Sequence, residues 1–96
     1  MKNEIVTVLT PVGEIIGKYV EQTEDYVVLD NPRLAMQTAQ GYGFANAVTP
    51  TASESVKEAK IRNYVLVVEV SKGVADAYRQ AVTGLVTASA NSIIGG

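Results

Sequence analysis

The sequence predicts a mainly β fold, a small curled barrel of about five strands followed by one C-terminal helix. Three observations predict it. Glu4 to Leu9, Glu14 to Glu21 and Tyr26 to Leu29 are short β-branched and apolar runs with turn chemistry at each break. Gly17 falls in the middle of the second run, where glycine marks a bulge or a sharp bend of the kind a tightly curled sheet requires. After Ser71 the apolar period changes from 2 to 3.6. A small open α+β sheet is the other arrangement these elements allow.

In the first strand Ile5, Thr7 and Leu9 share one face, and Val6 and Val8 the other. Thr10-Pro11-Val12-Gly13 is a turn, with Pro11 at the first corner and Gly13 free to take positive φ. Gln22-Thr23-Glu24-Asp25 is a polar reversal into the third strand. Asn31-Pro32 bends or ends that strand, because proline cannot donate to a central ladder. Residues 31–58 form an extended hairpin region. Within it Leu34 to Ala39 continues the strand or makes a helical turn, Gly41-Tyr42-Gly43 reverses the chain, and Phe44 to Val48 pairs back. Ser55 with Glu58 matches a capping box and predicts a short helical turn over Val56 to Lys60.

Tyr64 to Val70 is uninterruptedly apolar except at Glu69, the pattern of a strand buried on both faces. A short antiparallel chain cannot cover such a strand by itself, which points to a second subunit. The helix spans about 72–89, with Val74, Tyr78, Ala81, Val82, Leu85 and Val86 on one stripe and Ser71 as N-cap. Gly84 weakens it by roughly 1 kcal/mol relative to alanine. Residues 90–96 fray.

Ninety-six residues make a single domain, 1–96, with the barrel over about 4–70. With no cysteine there is no disulfide, thiolate metal site or cysteine nucleophile. With no histidine the commonest general base and metal ligand are missing too. No catalytic residue, metal site or cofactor is expected. The net charge of −2 is the wrong sign for a free-standing basic nucleic-acid binder, although a symmetric ring concentrates a few cations around one pore. No stretch approaches the roughly 18 apolar residues of a membrane span, and a soluble, cytoplasmic protein is expected.

Gly13, Gly17 and Tyr26-Val27-Val28-Leu29 resemble the first motif of Sm-like proteins: a glycine turn, a glycine in a bent strand, then an apolar strand. Lys60-Ile61-Arg62-Asn63 before Val65-Leu66-Val67-Val68 resembles the second, an Ile-Arg-Gly turn leading into the last strand. The chain looks like a divergent Sm-like protein of the phage-encoded sort, related in fold to the bacterial Sm-like RNA chaperone. The match covers about residues 4–30 and 60–70. It implies a five-stranded SH3-like barrel and a homo-oligomeric ring closed by the last strand, with Tyr64, Val65, Leu66, Val67 and Val68 at the interface. It also implies single-stranded RNA or DNA as partner. The chain departs from the family pocket. Thr23 stands at the position of its aspartate, Val27 near its base-reading asparagine, and Asp25 or Tyr26 at its stacking residue. Asn63 replaces the glycine, and only Arg62 carries over.

The candidate binding set is Arg62, Asn63 and Tyr26 with Lys60 and Asp25. A guanidinium and an aromatic face can sandwich an unstacked base, and an amide can read its edge. The plain alternative pairs Arg62 with Asp25 or Glu24, uses Asn63 for left-handed turn geometry, and packs Tyr26 in the barrel. Lys57, Lys60 and Arg62 alternate with Glu54 and Glu58, the usual look of a solvated mixed-charge face. Glu21, Glu24, Asp25 and Asp30 match no calcium-loop pattern and read as a polar turn. The expected function is a non-enzymatic ring that binds single-stranded nucleic acid. The alternative is a structural or protein-interaction ring.

Overall fold

The computed structural model describes residues 2–39, 41–45 and 57–83. Six antiparallel strands and one helix follow in the order β1 (Ile5–Thr10), β2 (Gly13–Gln22), β3 (Tyr26–Thr38), β4 (Gly41–Phe44), β5 (Glu58–Arg62), β6 (Leu66–Glu69) and α1 (Lys72–Thr83). The strand order is β4-β3-β2-β1-β6, and β5 pairs with β3 beyond β4. The mainly β class with a C-terminal helix is as expected. Among the described residues the strands number six rather than five, and the sheet they form does not close.

The β1–β2 turn has the predicted chemistry. Thr10 Oγ1 donates to the Gly13 carbonyl at 2.7 Å and accepts the Val12 N–H at 3.2 Å, while Gly13 takes φ 148°. Gly17 lies at a bulge: Ile16 pairs with Arg33 and Lys18 with Asp30, so two residues, Asn31 and Pro32, face one. A Cβ on Gly17 would stand 3.0 Å from Leu29 Cβ and 3.1 Å from the Asp30 carbonyl oxygen. Close approach, not flexibility, requires glycine there.

Asn31-Pro32 bends β3 without ending it. The ladder to β5 stops at Asp30, and the ladder to β4 starts at Ala35, so Pro32 occupies the gap where no N–H is needed. Asn31, at φ 53°, provides the left-handed kink and donates its N–H to the Lys57 carbonyl at 2.7 Å. Two sequence expectations fail here. Gly41-Tyr42-Gly43 is strand β4 rather than a reversal, and the helical turn expected over Val56 to Lys60 is replaced from Glu58 by strand β5. A full ladder to β3 and the burial of Ile61 outweigh the local capping-box signal. Val56 and Ser55 lie outside the described residues, as do the expected pairing strand beyond Ala45 and the helix and tail beyond Thr83.

The sheet buries both faces, in two separate clusters. Val6, Val8, Val27, Leu29 and Ile61 pack inside the curl, supported by Ile15, Tyr19, Tyr64 and Val67. Ile5, Ile16, Ala75 and Tyr78 pack between the other face and α1, supported by Phe44, Val70, Val74 and Val82. The two-sided burial explains why β1 is apolar at neighbouring positions. Ser71 Oγ accepts the Val74 N–H at 3.4 Å as the predicted N-cap. Tyr78 locks the helix to the bulge: its hydroxyl donates to the Asn31 carbonyl at 2.6 Å and stands 3.2 Å from that of Asp30. Its ring meets Phe44 edge-on at 6.2 Å.

The Tyr64–Val70 run is not buried on both faces. Its strand is only Leu66–Glu69, at one edge of the sheet and paired with β1 alone. Val67 packs into the first cluster, whereas Val65, Leu66 and Val68 are 61%, 42% and 44% exposed. Among the described residues the outer edges of β6 and β5 carry no partner strand.

Candidate nucleic-acid interface

Strand register brings the predicted site together. Tyr26 opens β3 directly opposite Arg62 at the end of β5, with Lys60 on the diagonal opposite Val28. Lys60 and Arg62, two residues apart on one strand, point to the same face. Lys60 Nζ stands 4.4 Å from the centre of the Tyr26 ring, and Arg62 Cζ 5.7 Å. Both cations lie within the range of cation–π attraction. Lys60 and Arg62 are exposed and Tyr26 half-buried, so the cluster faces solvent.

The plain alternative fails in two respects. Among the described residues Arg62 makes no ion pair with Asp25 or Glu24. Tyr26 belongs to neither core cluster. In the third respect it holds: Asn63 has φ 59° and turns the chain between β5 and β6, with its side chain exposed. Asp25 is exposed in the β2–β3 turn.

That turn is what positions Tyr26. Thr23 Oγ1 accepts the N–H groups of Asp25 and Tyr26 at 3.1 and 3.2 Å, and the Thr23 N–H donates to the Tyr26 carbonyl at 2.8 Å. From across the fold the Tyr64 hydroxyl donates to the Thr23 carbonyl at 2.8 Å and accepts Gln22 Nε2 at 2.9 Å. Tyr19 in turn donates to Gln22 Oε1 at 3.2 Å. Thr23 is therefore a turn residue here, and Val27, fully buried, cannot read a base. The role of Tyr64 as a brace for the turn is not visible in the sequence, because its partners are 41 and 42 residues away.

A second basic group adjoins the first. Lys2, Lys18 and Lys57 line a shallow concavity of about 480 Å³ with Asp30 and Glu58. Its neighbour, lined by Lys60, Val28 and Glu21, shares Val20 and Glu58 with it. Pairing of β2 with β3 sets Lys18 opposite Asp30 and so brings it to this face. Among the described residues no group of three or more carboxylates is placed to hold a metal ion, and no helix is long and apolar enough to cross a membrane. Comparison with protein-family models, with curated proteins and with solved structures gives no match for this chain.

Proposed function

We propose that the chain is a subunit of a homo-oligomeric ring of the Sm-like kind, and that the ring binds single-stranded RNA or DNA without enzymatic activity. The observation that carries the nucleic-acid reading is the solvent-facing stack of Lys60 and Arg62 on Tyr26. An exposed cation–π contact contributes about 0.5–1 kcal/mol, whereas a base stacked on an aromatic ring contributes about 1–3 kcal/mol. An incoming base therefore displaces Lys60 from the ring at a net gain, and the freed ammonium turns to a phosphate. Lys2, Lys18 and Lys57 extend the basic surface, so that five of the eight basic residues share it.

Ring closure is supported by the open outer edges of β6 and β5 among the described residues. Strand addition of β6 to the free edge of a neighbour's β5 joins subunits head to tail, and a rotation that closes yields a ring. The exposed side chains of Leu66 and Val68 favour a protein partner at that edge. The same exposure, with the net charge of −2, supports the second reading, an assembly ring with no nucleic-acid role.

Titration of uridine-rich and adenine-rich oligonucleotides at two salt concentrations tests the first reading. Affinity should fall with salt at a log–log slope of about −0.7 per phosphate neutralised. Tyr26→Ala should cost about 1–3 kcal/mol of binding, and Arg62→Ala should weaken it too. Absence of binding at low salt, or an unchanged affinity for Arg62→Ala, would remove the nucleic-acid role and leave the assembly ring.

A further inference from the structure

Strand register places a second platform beside Tyr26. On β3 the side chains of Tyr26, Val28 and Asp30 share one face, and Arg62, Lys60 and Glu58 stand directly opposite them on β5. On the other side of β3, Glu21 of β2 is opposite Val28, and Lys18 is opposite Asp30. The register shifts between Tyr19 and Glu21, a bulge that leaves Val20 unpaired beside them. The face therefore carries successive rows: Arg62 with Tyr26, then Lys60, Val28 and Glu21, then Glu58, Asp30 and Lys18.

The middle row is concave. A depression of about 430 Å³, within the size range of ligand pockets, is lined by Val28, Val20, Glu21, Lys60 and Glu58. Val28 is 7% exposed and belongs to neither core cluster, so it serves as an apolar floor here. Glu21 and Lys60 flank it from β2 and β5, two strand spacings or about 10 Å apart. Lys60 leans toward the first row, its Nζ 4.4 Å from the centre of the Tyr26 ring. Among the described residues neither the Glu21 nor the Glu58 carboxylate has a hydrogen bond or an ion pair.

The spacing suits unstacked nucleotides. Tyr26 and Val28 are two residues apart on one strand, about 7 Å, or twice the roughly 3.4 Å rise of stacked bases. Two successive bases can each take a platform of their own, with Lys60 between them where the linking phosphate passes. A carboxylate accepts hydrogen bonds and donates none. Glu21 and Glu58 therefore match the exocyclic amine of cytosine or adenine, and oppose the O4 of uracil, which is itself an acceptor.

We propose, taking the nucleic-acid role proposed above as given, that this depression is a second base site selective for bases with an exocyclic amine over uracil. One base stacks on Tyr26 and the next lies on Val28, its amine donating to the carboxylates of Glu21 and Glu58. Lys60 takes the phosphate between the two, and Lys18 and Lys57 the phosphate that follows. The carboxylates weaken the surface for polyanions in general and make it selective among bases.

The test compares hexacytidylate with hexauridylate, which have the same charge and ring size and differ in the amine. Fluorescence anisotropy of end-labelled strands should show hexacytidylate bound about threefold to tenfold more tightly, the effect of one net hydrogen bond. The Glu21→Gln, Glu58→Gln double variant, changed only at exposed positions, should bind hexauridylate more tightly and bring the ratio close to one. Plain surface charges behave otherwise, because their removal raises both affinities by the same factor. Equal affinity of the wild-type protein for the two strands, or an unchanged ratio in the double variant, would overturn the second base site. Tyr26→Ala separates that failure from failure of the nucleic-acid role itself. If it weakens both strands while the wild-type protein binds them alike, the Tyr26 stack stands and the second site falls. If neither strand binds the wild-type protein at low salt, both fall.

Discussion

Tyr78 ties the helix to the sheet, and a pair of substitutions separates the two ways it does so. The residue is 1% exposed, its hydroxyl donates to the Asn31 carbonyl at 2.6 Å, and its ring packs edge-on against Phe44. Tyr78→Phe keeps the ring and leaves the carbonyls of Asp30 and Asn31 without this donor inside the bulge. Leaving part-buried acceptors unpaired costs about 1–3 kcal/mol. Tyr78→Ala also empties the largest side chain of the second cluster, for about 3–5 kcal/mol in all. A chain of this length has about 5–14 kcal/mol of stability in total, so Tyr78→Ala consumes much of it and Tyr78→Phe a smaller share. Urea unfolding followed by circular dichroism measures both, with m expected to stay constant. A second signature belongs to the hydroxyl alone. Burial pushes the Tyr78 pKa from 10.0 to about 12, with the Asp30 charge adding to the rise and the Arg33 charge opposing it. The native state therefore favours the protonated phenol. This contribution is complete below pH 10 and is lost as pH rises through about 12. Tyr78→Phe should lack that alkaline loss. A Tyr78→Phe protein within about 0.5 kcal/mol of wild type, the range of a neutral surface change, would refute the bulge-locking role.

Other expectations follow from single contacts. Gly17→Ala places a methyl 3.0 Å from Leu29 Cβ and 3.1 Å from a backbone oxygen, and should destabilise by about 1–3 kcal/mol in the same urea assay; a neutral result would disprove the tight approach. For Glu69, the Glu4 hydrogen bond and charge make the native state prefer the protonated carboxyl, a stabilisation present below pH 4.5 and lost as pH rises through the raised value. Glu69→Gln should therefore melt at a higher temperature than wild type at neutral pH, and a lower melting temperature there would contradict the like-charge contact. Leu66→Lys and Val68→Lys place charges on the exposed side of the edge strand and should reduce a ring to monomers in native mass spectrometry. A wild-type protein that is only monomeric would end the ring reading.

Features that depend on near neighbours are legible in the chain before it folds. Strands β1 and β2 and the opening of β3 follow from apolar runs between turn residues, and α1 from the 3.6-residue stripe after Ser71. The turns at Thr10–Gly13 and Gln22–Asp25 follow from side-chain-to-backbone hydrogen bonds that span two or three residues. Gly17 was legible as a bend because a glycine inside a strand has few other uses. Tertiary structure decided everything that requires partners far along the chain. Pro32 passes through the sheet instead of ending it, because the β4 and β5 ladders leave a gap opposite the bulge. The Glu58–Arg62 segment is strand rather than helix, because β3 offers a full ladder and a buried site for Ile61. Once that segment is a strand, its period of 2 puts Lys60 and Arg62 together over Tyr26, a juxtaposition that no helical reading of the same residues contains. The openness of the sheet is decided at the same level. A strand's composition records that it is apolar, but only the pairing of the six described strands shows that, among the described residues, β6 has one neighbour and an unpaired outer edge.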